Sequence, residues 1–188
     1  MLSLANNRSP VVTEQYLPHN FLAEKIILSS LLISSDAIEL TIRSIKIETF
    51  YFKNHQELYK AILEMYNKKL PIDIITLNTF LQDTGKLNQI GGTKVLVELI
   101  NYVPNLSYLE EYLKLIQDKF LRRSLIKLGY EIINSAYITN VSLESILTTL
   151  ELNVFELTNE IQSQKLANTA ELFSNVFLEL KQKSLSPS

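Results

Sequence analysis

The chain has 188 residues, a net charge of −2 and no cysteine. That excludes disulfide scaffolds, thiolate metal sites and cysteine nucleophiles, and it lacks the basic excess of a surface built to coat DNA. Four glycines, Gly85, Gly91, Gly92 and Gly129, cannot write a P-loop or a dinucleotide-binding fingerprint, and no apolar run reaches the roughly 18 residues of a membrane span.

The pattern is helical nearly throughout. Residues 1–16 read as a flexible lead-in without the apolar core of a signal peptide. After Pro18, "HNFLAEKIILSSLLI" reads as a buried helix capped by Asn20, and "SSDAIELTIRSI" as a second, capped by Ser34 or Ser35. Leu58, Ile62 and Met65 then recur at helical spacing. Asn54 and Glu57 stand three apart before them, the spacing of a capping box, which places His55 in the first helical turn. Pro71 breaks this helix, Asp73 caps "IITLNTFLQDTG", and Gly85 stops it. "KLNQIGG" reads as a loop and "TKVLVELINYV" as a fifth helix ending before Pro104.

From Leu106 to Tyr137 a long helix is expected, with Leu109, Leu113, Ile116 and Phe120 on one seam and Leu121, Leu125, Leu128 and Ile132 continuing it. Glu110 and Glu111 suit the positive end of its dipole. After the turn "ITNVS", Leu143, Leu147, Leu150, Val154, Leu157 and Ile161 follow steps of 4, 3, 4, 3 and 4, a heptad seam. Two long helices joined by a short turn form an antiparallel hairpin that cannot cover its own seam. Self-association through residues 106–163 follows as an expectation. "QSQKLANT" then reads as a linker, and "AELFSNVFLELKQK" as an amphipathic helix with Asn168 and Glu171 as a capping pair. Its apolar side holds Leu172, Phe173, Val176, Phe177 and Leu180 and calls for a docking surface.

The fold class is therefore all-α: a globular multi-helix head (17–105), a long antiparallel hairpin (106–163) and a linker with a short helix (164–188). No catalytic constellation emerges. His55 has no histidine or acidic partner four positions away, so zinc geometry of the HExxH kind fails and a structural role outweighs a chemical one. His19 likewise lacks a partner in sequence. Lys119, Arg122, Arg123 and Lys127 form a basic stripe, read first as a solvated face and second as a contact for an acidic partner. No metal or cofactor site is expected.

The order and spacing of four stretches carry more. "LPHNFLAEKIILSSLL", "ETFYFKNHQELYKAILEMY", "LPIDIITLNTFLQDTGKLNQIGG" and "DKFLRRSLIKLGYEI" resemble the N-terminal domain of DnaB-type replicative helicases over roughly residues 17–163. The family's "LPxNxxAE", "FYxxxHxxIYxAI", "PxDxxT…L…G.L…GG" and "K…RR.LI" can be laid on this chain in order. Phe50, Tyr51, His55, Asp73, Gly91 and Gly92 fall on signature positions. Val95 and Leu96 stand where many bacterial members carry Tyr-Leu, and "FLRRSLIKLGYEI" resembles the cyanobacterial and plastid branch.

The resemblance implies a collar domain for hexamer assembly and for docking primase at the replication fork. Self-association as a dimer or hexameric collar is implied, with Leu143, Leu147, Leu150, Val154, Leu157, Ile161, Lys119, Arg122 and Arg123 as interface candidates. It also implies that duplex unwinding, ATP, magnesium and DNA contact belong to a RecA-like motor outside this chain, which carries no ATPase motif. Leu172, Phe173, Val176, Phe177 and Leu180 would then dock on the motor of a neighbouring subunit. The implied location is the plastid stroma, with the bacterial cytoplasm as the alternative. A stand-alone all-α interaction module is the second reading.

Overall fold

The computed structural model describes residues 17–102 and 104–161. Six helices are α1 (Phe21–Leu31), α2 (Ser35–Ser44), α3 (Lys53–Asn67), α4 (Ile74–Asp83), α5 (Thr93–Ile100) and α6 (Leu109–Ala136). Residues 143–161 are helical too and are called α7. Short 3₁₀ turns occupy Ile47–Thr49, Leu87–Ile90 and Leu106–Tyr108. No strand occurs among the described residues. The linker residues 164–188, with the Asn168 and Glu171 pair, lie outside them.

The local rules place most boundaries. Asn20 accepts the Ala23 N–H at 2.9 Å and starts α1; Ser34 accepts the Ala37 N–H at 3.3 Å and starts α2. Asp73 accepts from Ile75 and Thr76 at 2.8 and 2.9 Å, while the Thr76 hydroxyl accepts from the Asp73 N–H at 3.1 Å. Those bonds hold the Asp73 carboxyl below the usual carboxylate range, the Thr76 N–H being the main cause.

The start of α3 differs from expectation. It begins at Lys53 after Phe52, and neither Asn54 nor Glu57 caps it; Glu57 instead faces Lys53 at 3.7 Å. Its entrance is held by a residue far away in sequence: the Glu24 carboxylate accepts the Tyr51 N–H at 2.7 Å and the Phe52 N–H at 3.4 Å. A tertiary acceptor has replaced the local cap.

Helices α3 and α4 end alike, with paired bonds that wrap the last turn. After α3, Lys69 and Leu70 donate to the carbonyls of Tyr66 and Met65; after α4, Gly85 and Lys86 donate to those of Gln82 and Leu81. Both are Schellman motifs, which need a left-handed residue. Gly85 supplies it at φ +67°, whereas at the end of α3 a lysine, Lys69, is forced to φ +56°. The entry to α5 needs Gly91 at φ +99°, where a side chain would also strike Val95 Cγ2 at 2.9 Å.

The described residues divide into two compact units between Arg123 and Ser124, inside α6. The sequence reading placed the boundary at 105/106. The first turns of α6 join the head because Leu109, Leu113 and Ile116 are buried in its core. That core also takes Ile27, Leu28 and Leu31 from α1, Leu58, Tyr59, Ile62 and Met65 from α3, Leu77 and Leu81 from α4, and Leu96 and Leu99 from α5. Each such side chain contributes about 1.5–3 kcal/mol on burial. The Tyr59 hydroxyl is buried with no hydrogen-bond partner, and burial pushes its pKa up to about 12.

The second unit is the distal part of the hairpin. Ser142 accepts the Ser145 N–H at 3.2 Å at the start of α7. Ile146, Leu150, Asn153 and Leu157 are half-buried, and Asn153 Nδ2 donates to Glu131 of α6 at 3.4 Å. Beside them runs a polar groove of about 310 Å³, lined in part by Lys127, Glu131, Glu156 and Glu160.

Candidate interaction site

Two features merit a functional reading: the cluster under the signature residues, and the outside of the hairpin. The cluster is built on Glu24. Its side chain is 1 % exposed, on the same face of α1 as Ile27, Leu28 and Leu31. The α1 backbone thus carries a carboxylate into an apolar core, where a charge survives only if it is fully bonded. His55 of α3 meets it, with Nδ1 at 2.8 Å from Oε2. Because this carboxylate already accepts two backbone N–H groups, His55 Nδ1 is the donor. The His55 ring lies against Phe21 at 5.2 Å and the edge of Phe52 at 5.3 Å.

Above them Arg123 turns inward from α6. Its guanidinium donates to the carbonyls of Pro18 and Thr49, each at 2.8 Å, and lies 5.3 Å from the Tyr51 ring centroid. Burial lowers its pKa from the ordinary value, while Glu24 and Tyr51 pull it back up; a guanidinium remains charged regardless. His19 completes the cluster, stacked on Tyr51 at 4.5 Å with Nδ1 at 2.7 Å from the Leu17 carbonyl. Gln56 Nε2 donates to the Phe50 carbonyl at 2.7 Å, and Phe50 is fully buried.

Both Glu24 oxygens and His55 Nδ1 are engaged within the protein. The cluster ties α1, the 50–52 segment, α3 and α6 together. Among the described residues no group of three histidine, cysteine or acidic side chains is placed to hold a metal. No described helix is long and apolar enough to cross a membrane. Sequence reasoning missed Glu24 as the centre. The signal was present: one carboxylate falls on the stripe Ala23, Glu24, Ile27, Leu28, Leu31, which is otherwise apolar.

The basic stripe is broken up. Arg123 belongs to the internal cluster, Arg122 pairs with Asp118 at 2.8 Å, and Lys127 faces Glu131 at 4.0 Å. Lys119 is half-buried.

The heptad seam of α7 is also divided. Its inward row runs Ile146, Leu150, Asn153, Leu157 and Ile161, sharing Leu150, Leu157 and Ile161 with the expected seam. Leu143, Leu147 and Val154 are turned outward, with 69, 51 and 45 % of their surfaces exposed, and Ile161 is half-buried. On α6, Leu125, Ile132 and Ile133 are also exposed. The candidate linker residues Leu172, Phe173, Val176, Phe177 and Leu180 lie outside the described residues.

Comparison with known proteins places this architecture. A probable replicative DNA helicase of Trieres chinensis is 66 % identical over 177 residues, which is 94 % of this chain and 39 % of that protein. The replicative DNA helicase DnaB of Synechocystis sp. is 32 % identical over 163 residues, 87 % of this chain and 19 % of that protein. The chain thus spans well under half the length of these relatives. The crystal structure of the N-terminal domain of DnaB helicase from Mycobacterium tuberculosis superposes with a TM-score of 0.68 at 28 % identity, covering 74 % of this chain and 99 % of that one. A DnaB-like replicative helicase, solved to describe its interactions with primase, shares the fold with a TM-score of 0.61 at 21 % identity, covering 82 % of this chain and 35 % of that one. Residues 16–118, which hold the whole Glu24–His55 cluster except its Arg123 clasp, match the family described as DnaB-like helicase N terminal domain, and the chain belongs to that family.

Proposed function

We propose that this chain works as the collar of a replicative helicase, assembling with further copies of itself and docking primase at the fork. The observation that carries the reading is the hairpin's outer surface. Leu125, Ile132, Leu143, Leu147, Val154 and Phe155 are all exposed on one short pair of helices. Large apolar side chains exposed at this density mark a protein interface. The head, by contrast, also encloses a core with its own helices.

In this reading Leu143, Leu147 and Val154 of the expected seam serve the oligomer and partner contacts. Leu172, Phe173, Val176, Phe177 and Leu180 dock on the motor of a neighbouring subunit. That motor supplies ATP turnover, magnesium binding and DNA contact; this chain carries none of the sequence motifs for them. Likeness to a diatom protein and to a cyanobacterial one supports the plastid stroma as its place of work.

Sedimentation equilibrium tests the assembly. Association is expected at micromolar concentration, and Ile132→Asp should abolish it, because the new carboxylate would be buried unpaired in the contact. A chain that stays monomeric at high micromolar concentration would overturn the reading.

A further inference from the structure

The two exposed faces of the hairpin differ in charge. Helical residues 143–161 contain four glutamates, Glu144, Glu151, Glu156 and Glu160, and no lysine, arginine or histidine. Along the outward side of α7, Glu144, Leu147, Glu151 and Val154 follow one another at steps of three and four, with Phe155 four after Glu151, so carboxylates stand beside the apolar side chains. All five are exposed. On α6 the outward row is Leu125, Gly129 and Ile132, with Ile133 beside it and open space above the Gly129 Cα. The charged residues between 124 and 136, Lys127 and Glu131, line the inner groove instead.

These faces suit different occupants. Two copies meeting through α7 would set glutamates against glutamates with no base on that helix to separate them, and like charges across an interface select against the pairing. Two copies meeting through residues 125–133 of α6 meet an apolar row, with the paired Arg122 and Asp118 at its near end. Resting on the reading of the hairpin as an interaction element, we propose that the exposed face of α7 docks an amphipathic helix of a partner protein whose apolar stripe is flanked by lysine or arginine. The second copy is left to the face of α6.

The test uses the full chain and two synthetic helical peptides. One has a leucine stripe flanked by lysines, and its twin carries glutamates at the same positions. Fluorescence anisotropy at low salt should show the lysine peptide binding about tenfold tighter, the scale set by a few exposed charge pairs. The preference should shrink with added salt. Leu147→Ser should weaken binding of the lysine peptide, and Glu144→Lys/Glu151→Lys should reverse the preference while leaving sedimentation unchanged. Equal binding of the twins overturns the proposal, as does an effect of Glu144→Lys/Glu151→Lys without any effect of Leu147→Ser, which marks attraction unconnected with the stripe. If Glu144→Lys/Glu151→Lys alters self-association, the second copy occupies α7, and this inference fails while the collar reading stands. A wild-type monomer that still prefers the lysine peptide has the opposite meaning.

Discussion

The head and the distal hairpin are made of similar residues and treat them in opposite ways. Every buried residue among those described lies between Ala23 and Ile116. Between Ile116 and Ile161 the apolar side chains are half-buried or exposed, including Leu125, Leu143, Leu147 and Phe155. The reason is geometric. Five helices and the first turns of a sixth can surround a core, whereas two antiparallel helices share a single line of contact and leave their other faces to solvent. The head is stable by what it encloses. On the proposed reading the hairpin is stabilised by what it meets, so hairpin substitutions should act through association and depend on concentration, and head substitutions should not.

The largest expected effect breaks the head at its polar centre. Glu24→Ala removes the acceptor of Tyr51, Phe52 and His55 inside a closed core. Such a loss costs about 3–5 kcal/mol. Urea unfolding of the purified chain should show it at every protein concentration; a change that disappears on dilution would contradict a self-contained head.

A smaller effect of opposite sign is expected at Tyr59. Its buried hydroxyl has no partner, so Tyr59→Phe should stabilise the head by about 1 kcal/mol. The pH dependence follows from the raised pKa. Below the ordinary value of 10.0 the folded and unfolded chains both hold the phenolic proton. Between there and about 12 the unfolded chain gives it up first, so stability falls as pH rises, and the loss is complete once the folded group ionises. Thermal melts across that range should show a shallower decline in Tyr59→Phe.

The smallest effect is at the end of α3. Lys69 holds φ +56° where the matching position after α4 is Gly85. Lys69→Gly relieves that strain at some cost in unfolded-chain entropy, and a net gain of about 0.5 kcal/mol is expected in the unfolding midpoint. Loss of stability would mean that the lysine side chain supports the turn.

Much of the head was legible because its signals are local. Asn20, Ser34 and Asp73 cap helices whose first N–H groups lie two or three residues away, and Gly85 ends α4 within one turn. The same logic failed at Asn54 and Glu57. There the groups that needed an acceptor, the N–H of Tyr51 and of Phe52, found one in Glu24, 27 and 28 positions earlier. Spacing rules cannot see such a bond. The basic stripe failed for a related reason: four cations on one helix look alike in sequence, but only Arg123 stands where the carbonyls of Pro18 and Thr49 converge.

By itself the sequence determined an all-helical chain, its caps and stops, the hairpin, and the ordered motifs of the DnaB N-terminal family, because these follow from periodicity and short-range bonding. Tertiary structure alone decided which residues sit at the centre and which face outward. Glu24 became the hub of the head because packing α1 against α3 left its carboxylate beside His55 and closed to solvent. The α7 seam divided because helix contact follows the row that best meets α6, running Ile146, Leu150, Asn153, Leu157 and Ile161, and that choice left Leu143, Leu147 and Val154 to the outside.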